Sequence, residues 1–361
     1  MNIGVDIKAF KNGSTGINRY IRCILDELQQ ADSENHYYLF ECKKSDYMPT
    51  NSNWTKITAR SKLPGTIWMQ LALPKLLRKH KIDIFWAPEQ ICPVFRVPPN
   101  VKIVTTIHDF TYLRYPETCE LFVLLVGKSL MGLTIKKTSA LLPVSDYIAN
   151  ELTVFYPTAK STSKIICAIY NGVNDWGVNI PPTKRSDFLF FPGNLEPRKN
   201  LSRLIKALEI VNEAGIDISL RMCGPKGWKN SDFHQLIKSS PIKNRIKHLG
   251  FLSDEELTNQ YLTCKAVVFP SSYEGFGLPV IEALRLNTPV LTSRGTVMEE
   301  VAGENAMYFD PHNVDSIAET IMTFLKNGGP AINRENLNRY TWKRSAEKLL
   351  DVFTEIYKRK T

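Results

Sequence analysis

Two short stretches hold side chains that could do chemistry together. EGFGLPVIE sets Glu274 and Glu282 on either side of seven residues, among them Gly275, Gly277 and Pro279. FLFFPGNLEPRKNLSRLIKAL sets Arg198 and Lys199 side by side, shortly after Gly193 and Asn194. An arginine offers a fork to two phosphate oxygens and a lysine a point charge, so the pair suits a diphosphate. A carboxylate accepts hydrogen bonds from sugar hydroxyls. Glycines let the backbone approach a ligand closely, and the free N–H groups at a helix start favour an anion. Each feature also has a plain structural reading: two solvated cations before a helix, Glu282 complementing a helix dipole, Glu274 capping a turn. Taken as an assembly, the four charges point to a ligand that carries both hydroxyls and phosphates.

These side chains need a frame. Phe188 to Phe191 reads as a strand that ends at Pro192-Gly193, with a helix beginning near Asn200. AVVFPSS reads as a strand, GFG as a turn, and PVIEALRL as a helix with Pro279 at its first residue, where a missing N–H costs nothing. NIGVDI, HYYLFEC, DIFWAPE, KIVTTIHD, ALLPVS and KIICAIYNGV are further strand candidates, followed by DISLRMCG, IKHLGF, TPVLTS and AMYFD. Helical stretches such as INRYIRCILDELQQ and TIWMQLALPKLLRKHK alternate with them. This rhythm predicts an α/β chain with parallel sheets, in which ligands gather at the carboxyl ends of strands. VNDWGVNIPPTKRSD (173–187) is aperiodic and rich in Asn, Gly and Pro, so it predicts a boundary. Domains over 1–172 and 173–340 follow, with a closing helix over 341–361.

Composition narrows the classes. With 43% hydrophobic and 23% charged residues the chain is globular, and no apolar run reaches the roughly 18–20 residues that span a bilayer. The longest, LFVLLVGKSLMGLTI (121–135), is cut by Gly127, Lys128 and Gly132. MNIGVDIKAF lacks the layout of a signal peptide, and the seven cysteines form no C-x-x-C pair; a cytoplasmic location with reduced thiols is expected. Residues 1–170 hold 21 Lys and Arg against 14 Asp and Glu, a net +7 of the total +10. That suits an anionic partner, whether phosphates, nucleic acid or a membrane face. Nucleic acid is disfavoured, because the chain has neither a paired Cys/His finger nor an RNP-like aromatic segment. GKS at 127–129 is no P-loop, since Phe122 stands where the first glycine is required. G-x-G-x-x-G, G-x-S-x-G and D-x-D are all missing, so neither a nicotinamide or flavin cofactor nor a metal site is expected.

SSYEGFGLPVIEALRLNTPV, GNLEPRKNLSRLI, HLGFLSDEELTNQYLTCKAVVFPS and EEVAGENAMYFDP resemble the retaining family 4 glycosyltransferases. In the first half GSTGINRYIRCIL, IHDFTYLRYPE, LLPVSDYIANEL and YNGVN carry the same resemblance, so it covers nearly the whole chain. It implies the GT-B fold: two Rossmann-like domains facing each other across a cleft, with the last helix crossing back to the first domain. It implies that Arg198 and Lys199 bind the donor diphosphate and stabilise it as it leaves, while Glu274 contacts the donor sugar and Glu282 the ribose. Backbone amides of Gly275, Phe276, Gly277 and Leu278 would line sugar and phosphates. Gly193 and Asn194 would border the phosphate site. Gly16, in the loop after the first strand, would approach the phosphates from the other domain. His108, with Asp109 beside it, would sit by the transferred sugar or the acceptor hydroxyl, unless the His-Asp pair is structural. Many relatives carry an arginine where this chain has Asn194, which leaves the phosphate grip to Arg198 and Lys199.

The function so implied is hexosyl transfer with retention from a nucleoside diphosphate sugar, GDP-mannose being preferred, without a metal. The variants EPRKN and EGFGLP resemble those of mannosyl- and rhamnosyltransferases of surface polysaccharide assembly. The acceptor would be a glycan or lipid-linked saccharide at the inner face of a membrane, with the basic first domain as a peripheral contact. Thr66 to Lys81 could touch such a membrane, although a core-facing amphipathic helix is the simpler reading. Two other functions fit the same residues: a non-catalytic nucleotide-sugar-binding protein and a nucleotide-sugar epimerase.

Overall fold

The structure, a computed structural model, describes residues 1–8, 10, 16–160, 164–173, 185–225 and 231–359. It divides into two units, Met1–Gly172 together with Arg339–Thr361, and Val173–Asn338. Most of the aperiodic segment 173–187 lies outside the described residues.

The first unit is built on strands β1 (Asn2–Asp6), β2 (His36–Glu41), β3 (Trp54–Thr58), β4 (Ile84–Ala87), β5 (Lys102–Ile107), β6 (Ala140–Pro143) and β7 (Ile165–Ile166). They form one parallel sheet in the order β3-β2-β1-β4-β5-β6-β7. Parallel strands are covered on both faces, which is why IFWA in β4 and ALLP in β6 are buried without a break. The edge strand β3 was not among the strand candidates. Its WTKIT alternates polar residues and buries only Trp54, which stacks on Tyr37 at a centroid distance of 4.1 Å. KIICAIYNGV contributes only the two residues of β7.

The helix expected over 66–81 is two helices, Gly65–Leu71 and Leu73–Lys79, joined at Ala72. Pro74 cannot donate the bond that would continue the first into the second. Trp68, Met69, Leu73 and Leu77 enter a core cluster with Phe40 and Phe85, so this segment is a core element. The helix Trp342–Lys358 returns to the first unit, where Trp342 meets Tyr20 at 6.1 Å and Phe353 meets Trp86 at 6.5 Å. Gly172 makes this close approach possible, because a Cβ there would lie 2.1 Å from the backbone nitrogen of Trp342.

The second unit holds β8 (Phe188–Pro192), β9 (Ser219–Cys223), β10 (Ile246–His248), β11 (Ala266–Phe269), β12 (Val290–Ser293) and β13 (Ala306–Phe309). Their parallel order is β10-β9-β8-β11-β12-β13. The chain builds outward from β8 to β10, then returns to the other side of β8 with β11. That reversal is the topological switch point of the sheet, where loops diverge and leave a crevice. The loops that follow β8 and β11 carry the two chemical stretches.

Candidate functional site

After β8 the chain turns at Gly193 (φ 149°), forms a short 3-10 turn over Pro197–Lys199, and enters the helix Leu201–Glu213 through Asn200. Asn200 adopts a left-handed conformation (φ 60°), which the asparagine side chain tolerates. Its Nδ2 donates to the carbonyls of Pro270 (3.1 Å) and Pro311 (2.6 Å). One side chain thus ties the loops after β8, β11 and β13. A further strap runs from the Ser272 N–H to the Arg198 carbonyl at 2.9 Å.

These ties bring the charges together. Arg198 Nη1 donates to Glu274 Oε2 at 2.8 Å and to the Tyr273 carbonyl at 3.1 Å, while its Nε donates to Glu196 Oε2 at 3.1 Å. Lys199 Nζ is paired with Glu274 Oε1 and lies 5.0 Å from the centre of the Phe269 ring. Asn194 Nδ2 donates to Glu196 Oε1 at 3.1 Å. Glu196, Lys199 and Glu274 are all buried. The sequence reading therefore named three of the cluster's four charges, together with Asn194, and missed the fourth charge, Glu196, and the clamp Asn200. Both stand inside LEPRKN, and the signal for Glu196 was an acidic residue two positions before Arg198 in a loop.

Burial alone would raise the Glu274 carboxyl, but the charges of Arg198 and Lys199 outweigh it and hold it down at about 2. Burial, helped by neighbouring Arg198, draws the Lys199 ammonium below its ordinary value although Glu274 resists. Because the Glu274 carboxyl sits below its ordinary 4.5, its contribution to folding is complete above that pH and is lost as pH falls toward 2. The contribution is on the order of 3 kcal/mol. Glu274→Gln should therefore lower the unfolding temperature at pH 7, and the gap to the unaltered protein should close as pH falls from 4.5 toward 2. Thermal unfolding of both across this range checks it.

After β11, Gly277 takes φ 101° and caps the helix Leu278–Arg285, with Pro279 as the second helical residue. A Cβ at Gly277 would meet only the mobile end of the Met298 side chain at 2.7 Å, so it is the positive φ that calls for glycine here. Gly275 is half-buried, Phe276 buried, and Leu278 opens the helix. Glu282, one turn in, is buried and accepts from the Tyr261 hydroxyl at 2.6 Å. Tyr261 is thus a further residue of this site. Gly224, after β9, takes φ 117°, and its Cβ would lie 2.3 Å from the Gly193 carbonyl oxygen. The hydroxyls of Ser271 and Ser293, just after β11 and at the end of β12, are buried without a hydrogen-bond partner among the described residues.

His108, Asp109 and Gly16 belong to the first unit. Gly16 is not in a loop: it is the exposed first residue of the helix Gly16–Ala31, and the preceding 11–15 lie outside the described residues. His108 Nε2 lies 2.6 Å from the Pro88 carbonyl. A carbonyl only accepts, so Nε2 carries the ring proton and Nδ1 is the basic nitrogen. The ring packs edge-on against Tyr20 at 5.1 Å, and burial draws its pKa below the ordinary value. Asp109 accepts from the Thr111 N–H at 2.9 Å, which makes it a turn-former beside His108.

A second charged cluster went unread in the sequence. Lys8 Nζ lies 2.5 Å from Asp6 and 2.5 Å from Glu89, at the ends of β1 and β4 where the first sheet reverses. Asp6 and Lys8 are only two residues apart in VDIK, but Glu89 comes from a different strand end.

Two parallel-sheet α/β units, the second with a cation pair at its switch point, define the GT-B class of glycosyltransferases. Comparison with known families agrees over almost the entire length: residues 14–176 match the model described as Glycosyltransferase Family 4, and residues 178–344 match Glycosyl transferases group 1. The chain belongs to the glycosyltransferase family that these two models describe. It is 28% identical over 261 residues to O-antigen chain mannosyltransferase B of Escherichia coli, covering 70% of this chain and 67% of that protein. It is 35% identical over 163 residues to the serotype-specific mannosyltransferase WbdA of Escherichia coli, covering 44% of this chain and 20% of that much longer protein. Among solved structures, Anabaena Alr3699/HepE in complex with UDP and glucose matches with a TM-score of 0.71 at 17% identity, over 98% of this chain and 99% of that one. The protein is a glycosyltransferase.

Proposed function

We propose that the protein transfers mannose, with retention of anomeric configuration, from GDP-mannose to a glycan or lipid-linked acceptor. The observation that carries this reading is the cluster at the switch point of the second unit, where Arg198 and Lys199 converge on Glu274. The kinship with named mannosyltransferases supports the choice of sugar. In this reading the donor diphosphate takes up the Arg198 and Lys199 cations, which bear the charge that develops as it leaves. Fixed cations in a desolvated site are worth far more than in water and need no reorganisation at the moment of reaction. Glu274 holds hydroxyls of the sugar and Glu282 those of the ribose.

The acceptor hydroxyl oxygen attacks the anomeric carbon on the face from which the diphosphate departs. The carbon–phosphate oxygen bond breaks as the new glycosidic bond forms, and the acceptor's proton passes to the departing phosphate oxygen. His108, through Nδ1, positions a hydroxyl. No metal ion is needed, since the two side chains supply the positive charge; transfer should therefore survive EDTA.

A thermal-shift screen against GDP-, UDP-, ADP- and dTDP-sugars tests the donor. A ligand at a hundred times its Kd stabilises the folded state by about 2.7 kcal/mol, so GDP-mannose is expected to raise the unfolding temperature by several degrees more than the others. A larger shift with another nucleotide sugar would replace GDP-mannose as the donor. No shift with any would overturn the reading of the cluster.

A further inference from the structure

The first sheet has its own switch point, between β1 and β4, and three charges meet there. Asp6 is fully buried and holds Lys8 twice, accepting from its ammonium at 2.5 Å and from its backbone N–H at 3.0 Å. Burial alone would lower the Lys8 ammonium, but Asp6 and Glu89 outweigh it and keep it charged. Gly65 leaves room for the lysine stem, since a Cβ there would come within 3.3 Å of Lys8 Cδ. Asp6 and Lys8 alone would make a complete structural pair. Glu89 is the outer member: its side chain is 24% exposed, against 8% for Lys8 and 0% for Asp6. Among the described residues only Lys8 pairs with its carboxylate. The cluster therefore turns the edge of a fixed carboxylate to solvent, at the end of the sheet where ligands gather.

The loop that carries Glu89 is held in a costly conformation. Gln90 stands at φ 62°, and the Ile91 N–H closes back on the Glu89 carbonyl at 2.6 Å in a three-residue turn. A residue with a Cβ enters that region against its preference, and such strain persists where the surroundings enforce it, commonly at ligand sites. Each residue of the turn has its own partner. Pro88 fixes the His108 ring through its carbonyl, Glu89 reaches Lys8, and the Gln90 side chain donates to the Asp109 carbonyl at 2.8 Å. Burial draws His108 down while the Pro88 carbonyl and the charges of Asp109 and Glu89 oppose it, so carboxylate and imidazole share one electrostatic neighbourhood. A carboxylate beside a neutral imidazole accepts from hydroxyls and repels phosphates. We infer that Glu89 selects the acceptor, accepting hydrogen bonds from the hydroxyls of an uncharged sugar at the acceptor's end while Lys8 holds it in place. The inference rests on the proposed transfer for its acceptor, but not on which nucleotide sugar is the donor.

Saturation-transfer NMR on the full chain, without donor, tests it with α-linked disaccharides of mannose, glucose and galactose, and with mannose phosphate as the charged probe. At least one disaccharide should bind, and mannose phosphate should compete poorly with it. Glu89→Gln should weaken that disaccharide at least about tenfold, the worth of a hydrogen bond to a charged group, and erase the bias against mannose phosphate. In transfer assays the same variant should raise the acceptor KM by a similar factor and leave the nucleotide-sugar shift in place. Should Glu89→Gln fail to fold, Glu89→Asp keeps the charge beside Lys8, withdraws it by one methylene, and should weaken the disaccharide in the same way. If no nucleotide sugar binds, the proposed function falls, and the disaccharide titration still decides the role of Glu89. No disaccharide bound by the unaltered chain, equal binding of mannose phosphate, or a folded variant that binds like the unaltered chain would overturn the proposal. So would a variant that loses disaccharide and nucleotide-sugar shift together, because Glu89 would then act through the fold.

Discussion

Lys199→Ala is expected to slow sugar transfer at saturating donor by about a hundredfold to a thousandfold, the loss seen when one preorganised charge or donor is removed from a transition state. Lys199 is buried, paired with Glu274, and backed by the Phe269 ring, so its ammonium has one place to be. Arg198 stays anchored by Glu196 and the Tyr273 carbonyl, so the loop should keep its course. Circular dichroism and thermal unfolding separate lost chemistry from lost fold. Turnover within a few-fold of the unaltered protein, in a folded variant, would remove Lys199 from the charge-bearing role. Lys199→Arg should not restore the rate, because the larger guanidinium must be forced into a buried space filled by a compact ammonium seated on Glu274.

A large effect on stability is expected from Gly224→Ala. Its φ of 117° is strained for any residue with a Cβ, and that Cβ would meet the Gly193 carbonyl oxygen at 2.3 Å and the Gly193 carbonyl carbon at 2.6 Å. Both atoms are backbone, so no side chain can swing aside to relieve the clash. The Gly224 N–H donates to the Gly250 carbonyl at 2.7 Å, and its own carbonyl accepts from His248 at 2.8 Å, so Gly224 is pinned as well. Strain of about 1–3 kcal/mol for the backbone adds to a similar overpacking cost. The total, about 2–6 kcal/mol, should lower the unfolding temperature by roughly 4–24 °C at about 2–4 °C per kcal/mol. The displaced Gly193 loop should also weaken the nucleotide-sugar shift. Calorimetry with and without donor measures both, and an unchanged unfolding temperature would show that the loops part easily.

Much of the frame was legible because the strands are short apolar runs bounded by Gly, Pro and Asn. FLFFPG and AVVFPSS announce their own ends, and Pro279 after Gly277 announces a helix start. What sequence could not give was adjacency. Arg198 and Glu274 are 76 residues apart and meet only because β8 and β11 lie side by side. The same holds for Lys8 and Glu89, which meet across β1 and β4. Asn200 reads as an ordinary helix cap, but its side chain reaches the Pro270 and Pro311 carbonyls, a tertiary role with no local signature. The strand β3 was missed because an edge strand needs few apolar residues, and WTKIT has little of the continuous pattern of a central one. The break at Ala72 was missed because the apolar spacing runs on through Pro74.

The cluster at the switch point pairs two cations with two carboxylates. In the proposed reading, a diphosphate arriving there would meet a neutral patch instead of a bare double positive charge, and would have to share Arg198 and Lys199 with Glu274. Sharing would weaken the hold on any nucleoside diphosphate, most of all on the spent one that remains after the sugar has gone. Glu274 would then act as a resident competitor that hastens the exit of product and resets the cations for the next cycle.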